Sequence, residues 1–460
     1  MSTLFRSGRI ITDSTDRVAD ILCQGETITA IGEGLNPPKD AQVIDAAGKF
    51  VFPGFIDPHV HIFLPFMGTF AKDDWDSASR AALVGGTTTL IEMACPSREE
   101  DPLEGFELWR SKADGLACCD YSFHMSVTRF DDSTADKLRG IVDQGVASFK
   151  VFLAYKGFFG VDDQELFRTL SLAKELGVIV TAHCENETLI CELQQKLLAA
   201  GKTGPEFHEP SRPMAVEAEG VQHLMTFAEL TGAHVYVVHT SNRHAVDAAM
   251  AARRRGVDVW LETVIPYLTL DETYAQQPDF EGAKYVMSPP IRSKDQQQHL
   301  WSALESGHIS TVATDHAPFD FAGQKEMGRG DFTKIPNGIP SVQDRVNLLY
   351  TYGVKRGHID LHRFVDCAST QAAKLFGLYP RKGAIQEGAD ADLVVYDPEW
   401  HGEISAHTHL MQTDYSAYEG WTLEGRPSLV TLRGQVMARD GEFVGPKGQG
   451  RFLRRVPTHG

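Results

Sequence analysis

The first fifty residues alternate apolar and polar positions between glycines, as in Ile10-Ile11, Ile21-Leu22, Ile28 to Ile31 and Val43-Ile44. Alternation of that kind predicts short antiparallel strands with one buried face. The same texture returns in Asp392 to Tyr396 and Leu429 to Val436. Two β-rich ends around a different middle predict a small β-sandwich built from both termini, over residues 1–52 and 379–440.

Between them, apolar strand-like runs alternate with longer amphipathic stretches, the pattern of βα units on a parallel sheet. Eight runs qualify, at 54–56, 88–93, 121–127, 148–153, 178–182, 235–238, 257–263 and 310–314. Of the intervening helices, 163–176 places Leu166, Phe167, Leu170 and Ala173 on one face, and another covers 243–255. Eight units predict an α/β fold with a closed, TIM-like (β/α)8 barrel over residues 53–378. Residues 441–460 are left as a C-terminal tail, in which Arg451, Arg454 and Arg455 form a basic cluster expected to be solvated or to touch another subunit.

Bulk properties narrow the class. A length of 460 residues with 42 % hydrophobic content suits one barrel plus a smaller domain. The net charge of −18 argues against a nucleic-acid partner. Uninterrupted apolar stretches of about 18 residues are lacking, so no membrane span is expected. Met1 to Ser14 has no apolar core of a secretory signal, and the seven cysteines form no paired CxxC. They read as reduced thiols in a cytoplasmic protein.

The chemistry lies at the strand ends, where barrel enzymes build their sites. The first run ends in Asp57-Pro58-His59-Val60-His61. Side chains two apart on an extended segment point the same way, so His59 and His61 can bind one metal together. The fifth run ends at His183, the sixth at His239 and the eighth at Asp315. One histidine after a strand is ordinarily a hydrogen-bonded structural residue; four histidines and an aspartate at the same end of successive strands form a metal site. His124 lies mid-strand and reads as core, while His208, His223 and His316 read as structural or as supports for ligands.

Lys150 sits among Phe149, Val151 and Phe152. Burying it charged is costly, and desolvation beside metal ions favours the neutral amine. A neutral amine can add carbon dioxide, giving a carbamate whose two oxygens can bridge two metals.

These segments carry a resemblance. Gly54 to His61, Pro65 to Thr69, Gly85 to Thr89, Ser148 to Lys156 and His183 to Asn186 are similar to the dihydropyrimidinase/D-hydantoinase branch of the amidohydrolase superfamily. So are Val238 to Ser241, Ser288 to Pro290, Ala313 to His316 and Pro336 to Gly338, and the likeness spans nearly the whole chain. It implies a hydrolase that opens dihydropyrimidines or 5-substituted hydantoins to N-carbamoyl amino acids with a metal-bridging hydroxide. It further implies two divalent metals, usually zinc: His59, His61 and Asp315 on the first, His183 and His239 on the second, carboxylated Lys150 between them. Asp315 would pass the proton, and Tyr155, Ser288 and Asn337 would hold the cyclic imide, with Tyr155 stabilising the oxyanion. Leu64, Phe66, Phe152 and Phe159 resemble the wall around the exocyclic group. A homotetramer with the tail in its contacts is also implied.

Two positions depart from many hydantoinases: Ala317 replaces a cysteine, and Phe63 an acidic residue, which predicts a more apolar entrance. Dihydroorotase would carry an arginine soon after the HxH pair, where Ile62, Phe63 and Leu64 stand instead. Allantoinase also differs there, and the non-catalytic scaffold relatives have lost ligands that this chain keeps.

Overall fold

A computed structural model describes residues 2–458. Eight parallel strands follow each other around one sheet: Phe55–Val60, Thr87–Ala94, Asp120–Ser126, Ser148–Phe152, Ile179–His183, Val235–Val237, Val259–Val264 and Thr311–Ala313. Each is adjacent to its successor in the chain, and the ends meet beyond the regular strands. There His61 N–H donates to the His316 carbonyl at 2.7 Å and Asp315 N–H to the His59 carbonyl at 3.0 Å. The seam of the closed barrel therefore runs through three of the expected ligand residues.

Local signals explain the connecting helices. Asp162 caps helix Asp163–Leu176, accepting from Glu165 N–H while Glu165 reaches back to the Asp162 N–H, and Gly177 ends it at φ 66°. Helix Arg243–Arg254 starts from Asn242, whose side chain accepts from Ala245 N–H. The seventh strand begins two residues later than its apolar run, because Val257 still bonds back to Ala252 across the helix end.

Nine strands from both termini form one continuous second sheet, with Ser2–Ile11 and Phe50–Pro53 at its centre and Leu393–Glu403 and Thr422–Leu432 beside them. It differs from the expected all-antiparallel pairing in one respect: Ser2–Ile11 runs parallel to Gln42–Asp45 and to Phe50–Pro53. Alternation sorts its faces. Val394 and Tyr396 join the barrel core, whereas Leu393 and Val395 join a separate cluster with Phe5, Ile21 and Val51.

The tail does not float. Its backbone pairs with the third barrel strand through Tyr121 N–H to Arg451 O and Leu453 N–H to Tyr121 O. Arg455 is buried, contrary to the expectation of a solvated cluster. Its guanidinium donates to the Phe123 carbonyl and to the Ser122 and Ser148 hydroxyls, at the end of the barrel opposite the ligands.

Candidate metal centre and substrate pocket

His59, His61 and Asp315 come together as read. Both imidazole Nε2 atoms lie 3.1–3.2 Å from the same Asp315 oxygen, and one ligand atom from each residue falls within 4.8 Å of the others. Asp315 sits at φ 53° and His239 at φ 39°, left-handed conformations that non-glycine residues rarely adopt. Strain of this type is retained where it aims functional groups.

Carboxylates fix the tautomers. Glu262 accepts from His59 Nδ1 at 2.7 Å, leaving Nε2 as a bare lone pair toward Asp315. Glu185 accepts from His183 Nε2 at 2.9 Å, leaving Nδ1 bare, and Arg212 secures Glu185 at 2.6 Å. His183 Nδ1 faces His239 Nε2 at 3.0 Å. Glu262 also accepts from His239 N–H and the Tyr236 hydroxyl, tying two ligand strands together.

Lys150 is fully buried between these sets, and its Nζ has no hydrogen-bond partner. Burial pulls its pKa down to about 8, opposed by the Asp315 and Glu262 charges. Burial likewise holds His59, His183 and His239 below the usual imidazole range, which favours the neutral form that can bind a metal. Bare nitrogens converging on a buried carboxylate, with an orphaned amine beside them, fit divalent cations.

Above the centre lies a pocket lined by His61, Lys150, His183, His239 and Asp315 below and by Leu64, Phe66, Phe152, Tyr155, Phe159, Ser288 and Asn337 around its walls. His59 lies beneath, reached through Asp315 and not from the pocket. Phe159 stacks on Phe152 at 5.5 Å and on Phe66 at 6.3 Å, while Tyr155 meets Phe66 edge-on at 5.6 Å. This is an aromatic box for a flat apolar group. Asn337 Nδ2 donates to Ser288 Oγ at 3.0 Å, and Glu187 takes the Tyr155 N–H at 2.6 Å.

The two departures resolve differently. Ala317 lines the pocket and is packed against Gly338, where any side chain would meet the Ala317 carbonyl at 2.3 Å. Phe63, by contrast, does not reach the pocket. It packs on Trp109 at 5.1 Å and on Phe70 at 6.3 Å, under the Lys112 ammonium, so the expectation that it makes the entrance apolar is corrected.

Three histidines read as structural have partners. His124 bonds Ser148 and the Pro58 carbonyl, His316 bonds Asp73 and Ser341, and His223 meets Asp163. His208 lies nearer the site, 3.3 Å from Ser288 Oγ. Sequence reasoning missed Glu262 and Glu185. Glu262 did leave a signal: like Lys150, it is a charge inside an apolar strand run.

Comparison with known proteins agrees with this geometry. The model of the amidohydrolase family matches residues 50–437. A D-hydantoinase of Geobacillus stearothermophilus is 47 % identical over 99 % of this chain and 97 % of its own, and a dihydropyrimidinase of Rattus norvegicus 40 % identical over 99 % and 89 %. A solved D-hydantoinase (dihydropyrimidinase) from Thermus sp. superposes with a TM-score of 0.98 at 61 % identity, covering 99 % of this chain and all of that one. The chain belongs to the amidohydrolase family, in the branch that holds the D-hydantoinases and dihydropyrimidinases.

Proposed function

We propose that the protein hydrolyses the ring amide of dihydropyrimidines and 5-substituted hydantoins, giving open-chain N-carbamoyl amino acids. One observation supports the reading: a single cavity is lined by His61, Lys150, His183, His239 and Asp315 together with the aromatic box and Tyr155, Ser288 and Asn337. His59, His61 and Asp315 would hold one divalent cation, His183 and His239 a second, and Lys150 as a carbamate both. Imidazole and carboxylate donors suit zinc. When bound, the cations supply Lewis acidity and bring the pKa of water toward neutrality.

The chain's own groups supply the rest. Water adds to the ring carbonyl, the ring C–N bond breaks, and the nitrogen leaves with a proton. Asp315, between two imidazoles and open to the pocket, takes the proton from water and returns it to that nitrogen. Burial raises the Tyr155 pKa, which keeps its hydroxyl a donor for the oxygen that gains charge. Ser288 and Asn337, already bonded to each other, present fixed polar atoms to the planar imide. The box of Phe66, Phe152 and Phe159 receives the 5-substituent.

A cytoplasmic homotetramer is part of this reading and rests on the likeness to the branch. All seven cysteines are free, and among the described residues no helix is long and apolar enough to cross a membrane. The test is a rate comparison on purified protein. Dihydrouracil, phenylhydantoin and methylhydantoin, each hydantoin as both enantiomers, should open faster than dihydroorotate, with N-carbamoyl products. The reverse ranking would overturn the substrate assignment.

A further inference from the structure

Lys325 has no accessible surface, and among the described residues its Nζ bonds carbonyls and no carboxylate. Its Nζ donates to three backbone carbonyls, of Val286 at 2.8 Å, Pro336 at 2.7 Å and Gly338 at 2.7 Å. Burial pulls its pKa down, but three separate acceptors require three N–H bonds, which only the ammonium has. A lone buried charge is expensive unless its surroundings are built for it. Here three carbonyl dipoles converge on it.

The positions of those carbonyls give the lysine a purpose. Val286 lies two residues before Ser288, and Pro336 and Gly338 flank Asn337 on both sides. Gly338 N–H also donates to the Val286 carbonyl, and Asn337 Nδ2 to Ser288 Oγ, so the two loops already touch at two points. Beneath them is a small apolar cluster of Ala283, Val286, Phe332 and Ile335, separate from the barrel core. The loops that carry Ser288 and Asn337 thus rest on this cluster and on two direct hydrogen bonds, and the Lys325 ammonium adds a buried group that binds both loops at three carbonyls.

We propose that Lys325 is a positioning residue for the substrate: it clamps the two loops so that Ser288 and Asn337 meet the cyclic imide in one fixed geometry. The proposal rests on the functional reading above for the roles of those two residues. Lys325 lines neither the pocket nor the metal centre. It acts only through the backbone, where a small misplacement of binding groups is enough to weaken turnover.

The test uses the full-length, metal-loaded protein with Lys325→Met and Lys325→Gln. Removing the ammonium leaves the buried Pro336 and Gly338 carbonyls without their donor and Val286 with Gly338 N–H alone, whereas glutamine restores two donors. Hydrogen exchange should become about tenfold faster or more in the segments around 286–288 and 336–338, while the barrel strands keep their protection. With metal content unchanged, KM for hydantoins and dihydrouracil should rise about tenfold or more and kcat change less, the glutamine variant lying between methionine and wild type. Combining Lys325→Met with Asn337→Ala should give less than the product of the two KM effects. Unchanged exchange in both segments, or lower thermal stability with wild-type KM, overturns the clamp. Exchange reads it without substrate, so wild-type protein that opens no cyclic amide would overturn the functional reading separately. Should the methionine variant fail to fold, the glutamine variant carries the same comparisons.

Discussion

His183 Nδ1 and His239 Nε2 face each other at 3.0 Å, both rings buried. Glu185 occupies the only other nitrogen of His183, so its lone pair points into the gap. Burial favours the neutral form of both rings, and a shared cation would satisfy both nitrogens at once. Replacing either histidine by alanine should lower bound metal by about one equivalent per chain, read by elemental analysis. Full metal content in both variants would remove them from the ligand set.

Lys150→Ala should bind less metal and lose at least about 100-fold in ring opening. Short carboxylic acids should restore part of the rate by standing in for the carbamate oxygens. Full activity without the lysine would take the carbamate out of the account.

Glu262→Gln tests the group that sets the His59 tautomer. Apparent metal affinity should fall about 10- to 100-fold, measured by chelator competition, with the pocket walls unaltered. Equal affinity in wild type and variant would leave Glu262 a purely structural role.

Phe152→Ala and Phe159→Ala remove the stacked pair of the box. Each deletion forfeits roughly 1.5–3 kcal/mol of apolar contact. KM for phenylhydantoin should therefore rise about tenfold or more, while KM for dihydrouracil, which has no substituent, should change far less. Equal effects on both substrates would place the substituent elsewhere.

A pH effect on stability should arise away from the centre. His409 Nε2 lies 3.1 Å from Asp344 Oδ1. Desolvation lowers its pKa, but Asp344, with Glu419 and Asp73, outweighs this and holds it above the ordinary imidazole value of 6.5. A raised folded pKa stabilises fully below 6.5 and loses that contribution as pH climbs through the higher folded value. Melting temperature should thus decline above pH 6.5 in wild type and less in His409→Gln; parallel curves would contradict the assignment.

Much of this was legible in the sequence for a physical reason. A parallel strand buried on both faces must be a continuous apolar run, so a histidine closing it stands out, and this located His59, His183 and His239. Helix Asp163–Leu176 was legible from the apolar spacing of Leu166, Leu170 and Ala173, which are buried as read, while Phe167 on the same reading is exposed. Glu185, Arg212 and Lys325 were not legible, because their partners lie far off in the chain or are backbone carbonyls. Phe63 was misread since strand periodicity ends at Val60. Beyond it, nothing local says whether a ring turns toward the pocket or toward Trp109.

His59, His61, Lys150, His183, His239 and Asp315 together would form one two-metal centre. Elemental analysis of gently purified wild-type protein tests it most directly. The account predicts about two divalent metal equivalents per chain, lost to chelators together with ring-opening activity; a content near zero in protein that still opens hydantoins would contradict it.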